Sequence, residues 1–122
     1  MDAREVSERL LDYGVRAIRV VDALPRTLAG RRIGDQLLRS SISVGANYEE
    51  AQGAESREDF VHKLQIALKE VRESNYWLRL LAKSGIVSDS RLSAILEESN
   101  QLRAMLSKAV ATTKGKGKTA TL

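Results

Sequence analysis

The 122-residue chain has no cysteine, a single proline, a single histidine and few aromatic side chains. Without cysteine there is neither a disulfide nor a thiolate metal site. Pro25 is the one obligatory helix breaker, and leucine, alanine, arginine, glutamate and serine dominate, so the composition favours helix throughout. No apolar run approaches the ~18 residues that a bilayer span needs. The opening Met1-Asp2-Ala3-Arg4-Glu5 is charged and has no apolar signal core, so a cytoplasmic protein without a membrane partner is expected. A chain of this size buries about two thirds of its unfolded surface, enough for one domain with a real core.

Chemistry is equally sparse. His62 stands in Asp59-x-x-His62, two ligand types on one helical face. Di-iron bundles need such a pair on two helices with further glutamates, so His62 reads as a surface residue and no metal site is expected. Gly30-Arg31-Arg32-Ile33-Gly34 has neither the spacing nor the lysine-hydroxyl ending of a phosphate loop. No serine is poised by a base and a third group. The expectation is a protein that is not an enzyme, with no catalytic residues and no cofactor.

What the chain does have is helical periodicity. Between residues 60 and 81, alternating steps of four and three pick out Phe60, Leu64, Ala67, Val71, Ser74, Leu78 and Leu81, apolar at every place but Ser74. That is a helix seam, about 33 Å long at 1.5 Å per residue. An earlier seam runs through Val6, Leu10, Tyr13, Ala17, Val20 or Val21, and Leu24, with a second stripe, Leu11, Val15 and Ile18, beside it. Pro25 ends that helix, because the residue before proline is pushed out of the α region. Thr27 is a candidate N-cap for the next, Gly53 a candidate closing residue, and Ser56 with Asp59 resembles a capping box. Gly85 closes the third helix and Ser88 can cap a fourth, whose seam is Leu92, Ile95 or Leu96, Ser99, Leu102, Leu106 and Ala109. Short loops make successive helices antiparallel neighbours. The fold class is all-α: an antiparallel up-down-up-down four-helix bundle over residues 1–111, with helices at about 3–24, 28–53, 57–84 and 89–111. Residues 112–122 have no apolar period and read as a disordered basic tail.

The formal net charge is +4, and Lys114, Lys116 and Lys118 hold three of those charges. A second cluster is Arg26, Arg31, Arg32 and Arg39 against Asp35 alone, while residues 49–59 are acidic. These seven cations are the candidate contacts to RNA or DNA, binding that would be salt-sensitive and largely independent of base sequence. Ser40, Ser74 and Ser99 on seams and Glu70 beside one fall at similar heights, and read as a structural polar layer with Arg39 pairing Glu70 or Glu73, while Asn47 on the seam of the second helix reads as a helix-bridging amide of the same structural kind. Tyr76, Trp77 and Tyr48 can stack bases, but the preferred reading is packing.

Several segments together resemble one family. They are Leu24-Pro25, Gln36-Leu37-Leu38-Arg39-Ser40-Ser41, Ser43-Val44-Gly45-Ala46-Asn47-Tyr48-Glu49-Glu50-Ala51, Ile66-Ala67-Leu68-Lys69-Glu70 and Glu73-Ser74-Asn75-Tyr76-Trp77-Leu78. The family is the four-helix-bundle proteins encoded in intervening sequences of bacterial 23S rRNA genes, related to the accessory variability protein of diversity-generating retroelements. The commoner form of its Asn-Ile-Ala-Glu-Gly motif reads Asn47-Tyr48-Glu49-Glu50-Ala51 here. The resemblance implies a homopentameric ring and a link to nucleic acid. Three partners follow: the chain itself, RNA or DNA, and, as the alternative function, a polymerase-like protein held by an adaptor. The second stripe Leu11, Val15 and Ile18, with Ile66, Trp77 and Leu80, independently favours self-assembly, because a lone bundle would leave part of that surface wet and large exposed apolar patches mark interfaces.

Overall fold

The computed structural model describes the backbone of residues 1–121 and the side chains of residues 1–115. Four helices follow in order: α1 (Ala3–Asp22), α2 (Leu28–Gln52), α3 (Arg57–Ser84) and α4 (Asp89–Thr121). No strand occurs among the described residues. α3 packs against both α2 and α4, α1 lies mainly on α2, and a smaller α1–α4 contact completes the bundle.

Local chemistry sets the helix ends. Asp2 caps α1 by accepting the Glu5 N–H, Thr27 caps α2 through Gly30, and Ser56 caps α3 through Asp59. The expected capping box is incomplete, since Asp59 accepts the N–H of Glu55 rather than that of the cap residue. Ser88 does not cap α4 with its hydroxyl, which meets Ser90, while its carbonyl accepts Arg91 N–H. α1 stops at Asp22, two residues short of the expected end, because Ala23 and Leu24 tighten the last turn with i−3 hydrogen bonds before Pro25. Gly85 closes α3 in the left-handed conformation at φ 78°. α4 continues to Thr121, past the boundary at 111, so the segment expected to be a disordered tail extends the helix. Thr113 Oγ1 donates to the Ala109 carbonyl there, a hydrogen bond within the helix that a purely polar segment can still form. The side chains of Lys116 and Lys118 lie outside the described residues.

The core is the set of seams. Leu10, Tyr13, Ala17, Leu37, Val44, Leu64, Ala67, Val71, Leu78, Leu81, Leu92, Leu102 and Leu106 are all buried. Tyr48 and Ala51, where the chain departs from the commoner motif, are buried too. Gly30 lets the α1–α2 turn close over the start of α2: a Cβ there would lie 2.2 Å from the Pro25 carbonyl oxygen and 3.1 Å from Thr27 Oγ1. Backbone must move to admit it. Gly30→Ala is therefore expected to lower stability by about 1–3 kcal/mol despite alanine's better helix propensity. A denaturant titration checks this through a lower midpoint at unchanged slope.

Candidate functional site

Two features could serve a partner: the polar groups inside the bundle and the charged and apolar faces outside it. Inside, the bundle carries one hydroxyl from each helix at one level. Tyr13 donates to Ser74 Oγ at 2.7 Å, because Ser74 uses its own proton on the Val71 carbonyl. Ser99 donates to the Leu96 carbonyl and accepts from Asn75 Nδ2 at 2.8 Å, and Asn75 also donates to Asn100 Oδ1. Ser41 Oγ is fully buried without a hydrogen-bond partner among the described residues. Burial raises the Tyr13 pKa, and the hydroxyls of Ser74, Ser41 and Ser99 oppose that rise.

The expected polar layer is thus partly reassigned. Ser74 and Ser99 belong to it. Ser40 is buried but turns back to the Gln36 and Leu37 carbonyls of its own helix. Asn47 likewise donates to Ser43 O rather than bridging helices. Glu70 lies at the edge, paired with Arg39. The members that sequence reasoning missed are Tyr13, Ser41 and Asn75. Tyr13 reads as an apolar seam residue until its hydroxyl finds Ser74, and Ser40 and Ser41 are adjacent buried serines that periodicity alone does not separate.

The candidate cations fare differently from one another. Arg39 bridges α2 to α3, donating to both Glu70 and Glu73, so it is not free to hold a phosphate. Arg26, Arg31 and Arg32 are exposed at the Pro25 end of the bundle. Arg26 and Arg31 line a recess of about 350 Å³ there, shared with Asp22 and Asp35. Lys114 is exposed on α4, which ends at the opposite end of the bundle. The α2 and α4 clusters are therefore apart in one copy. His62 is exposed, and no group of metal-ligating side chains is found among the described residues.

α1 is tied to α4 by Arg9, which donates to Glu98 at 2.7 and 2.8 Å and to Gln101 at 2.7 Å. The hydrogen bond and charge of Arg9 hold Glu98 below its ordinary value of 4.5. A carboxylate so lowered contributes stability that is present above that ordinary value and is lost as pH falls through the lower native one. Glu98→Gln is expected to flatten the acid limb of stability against pH, read from melting temperatures across that window.

The outer face of α1 stays apolar. Leu11 (61% exposed), Val15, Ile18 and, from α2, Ile42 (49% exposed) border a groove of about 480 Å³ floored by Gly14 and Gly45. Glu8 and Glu49 stand among its lining residues. The stripe expected to be left wet by a lone bundle is exposed. Of its partners on α3, Trp77 is half-buried and donates to Glu73, and Ile66 and Leu80 are half-buried. Of the three aromatic residues read as packing, Tyr48 and Trp77 pack, but Tyr76 stands 50% exposed.

A family model described as 23S rRNA-intervening sequence protein matches residues 4–108. A solved structure of a protein with unknown function from the S23 ribosomal protein family, from Bacteroides thetaiotaomicron, is 33% identical with a TM-score of 0.84. The match covers 91% of this chain and 99% of that one. No curated protein matches the chain.

Proposed function

The chain belongs to the 23S rRNA-intervening sequence protein family, and on that premise we propose that it is a non-catalytic scaffold that works as an oligomer and binds nucleic acid. The observation that carries the reading is the row Leu11, Val15, Ile18 and Ile42, exposed along one groove. A monomer has no use for such a row in water, and burying it between copies gains about 25 cal/mol per Å² of apolar surface. A cyclic arrangement of about five copies repeats every cluster around one axis. Weak phosphate contacts by Arg26, Arg31 and Arg32 then act together, and so does Lys114 at the other end. The family's description as 23S rRNA-intervening sequence proteins supports nucleic acid as the partner class.

The test is one sizing experiment with and without a short structured RNA at low salt. The reading expects protein to elute well above the mass of one chain and to carry RNA with it. It expects Arg31→Ala/Arg32→Ala to keep the elution position while reducing the bound RNA. Monomeric elution without bound RNA overturns the reading.

A further inference from the structure

The outward edge of α3 carries Lys69, Arg72, Tyr76, Arg79 and Lys83, all exposed. Their steps of three, four, three and four put them in one line, about 21 Å long at the helical rise. None of the four cations has an ion-pair or hydrogen-bond partner among the described residues. The nearby acids of α3 are engaged elsewhere: Glu70 and Glu73 turn to Arg39 on the α2 side. The line lies instead toward α4. Asn75 bonds Asn100 across the α3–α4 seam, so one turn back along α3 and one turn on along α4 set Arg72 level with Arg103. A solvated helix face ordinarily alternates charge sign, and like charges three or four apart cost a helix about 0.2–0.5 kcal/mol per pair. Here Lys69 with Arg72, and Arg79 with Lys83, are such pairs, and Glu70, which stands between the first two in sequence, pairs with Arg39 instead.

At the centre of the line stands an aromatic ring. Tyr76 meets Trp77 edge-on, with centroids 5.0 Å apart at 77°, and Trp77 is itself held by its hydrogen bond to Glu73. The tyrosine is thereby braced while half its surface faces water. Cations in a row bracketing a braced, exposed aromatic side chain match a single-stranded polynucleotide: phosphates for the cations, one base for the ring. An anionic membrane fits less well, because the edge offers no apolar side chains other than this ring to insert. α3 lies diagonally across the bundle from α1. Assembly through the α1–α2 groove would leave this edge open.

We propose that the α3 edge, Lys69, Arg72, Tyr76, Arg79 and Lys83, is a binding surface for single-stranded nucleic acid, with Tyr76 stacking a base. This rests on the nucleic-acid reading above and moves its main contact from the arginines of α2 to α3. Fluorescence anisotropy with labelled oligo(U) RNA and oligo(dT) DNA, over a series of salt concentrations, tests it on the full chain. Arg72→Ala/Arg79→Ala should weaken binding and lower the salt slope by about 0.7 for each lost contact. Tyr76→Ala should weaken binding roughly tenfold at unchanged slope, and Tyr76→Phe should restore it. All these residues are exposed, so melting temperature and oligomer mass should stay as in the wild type. Equal loss on both oligonucleotides assigns the site to the shared backbone and base faces, and loss on RNA alone assigns it to RNA. If the wild type binds but the α3 variants bind as it does, while Arg31→Ala/Arg32→Ala abolishes binding, the α3 site is wrong and the broader reading stands. No binding of either oligonucleotide at low salt overturns both. Binding to phosphatidylserine vesicles in place of oligonucleotides overturns the site in favour of a lipid surface.

Discussion

Val71→Asp is expected to unfold the protein. Val71 lies in the middle of α3, fully buried, within the seam that faces the other helices. Its neighbours along that seam are Ala67, Ser74 and Leu78, and its carbonyl accepts the Ser74 hydroxyl. The position lies inside the hydrophobic core, so an aspartate there must lose its charge or bring water into the core. Either course costs several kcal/mol, against a total stability of about 5–15 kcal/mol for a domain of this kind. Circular dichroism should show lost helix and no cooperative melt. Arg72→Ala, the next residue but about 100° round the helix, should melt within about 0.5 kcal/mol of the wild type. A Val71→Asp protein that melts like the wild type would mean that α3 does not present this seam to the core.

Val15→Glu/Ile18→Glu should have the second large effect, and it should be on mass rather than on fold. Both side chains are exposed in the single copy, so the bundle loses little when they change. Between copies the substitution removes apolar burial and inserts two carboxylates beside Glu8 and Glu49, which already line the groove. Unpaired charges in a closed contact cost several kcal/mol, and each 1.4 kcal/mol weakens association about tenfold. Light scattering should therefore report a single chain at concentrations where the wild type is assembled, with the helical spectrum unchanged. An unchanged mass would show that copies meet through another face.

The bundle was legible because its signals are local and periodic. Phe60, Leu64, Ala67, Val71, Ser74, Leu78 and Leu81 repeat at the helical period, and all but half-buried Phe60 are buried. Pro25 and Gly85 mark boundaries by backbone chemistry that no tertiary contact overrides. The pairing of Arg39 with Glu70 and Glu73 was also readable, because short loops fix the heights of neighbouring helices. What depends on rotation between helices was not. Ser40 and Ser41 differ by about 100° around one axis, and which of them meets Tyr13 is decided by how α2 is turned toward α1. Ser40 instead satisfies its own helix.

The cations illustrate a different loss. Arg26, Arg31 and Arg32 stand out because they are close in sequence, yet the recess that Arg26 and Arg31 line holds Asp22 and Asp35 as well. The cations of α3 are spread from 69 to 83 and interrupted by Glu70, Glu73 and core residues. Only the 3.6-residue period, applied to charge as it is to apolar residues, gathers them onto one edge. α4 runs past the boundary expected at 111. Residues 112–121 have no face to bury, but a helix already nucleated by a packed segment extends at little cost per residue.

Self-assembly is the claim on which the other functional statements turn, since it gives the apolar groove an occupant and makes weak phosphate contacts cumulative. Sedimentation equilibrium on the wild-type protein at micromolar concentration tests it most directly. The account predicts a mass of about five times the 13.5 kDa of one chain, held on dilution. A mass of 13.5 kDa at that concentration would contradict it.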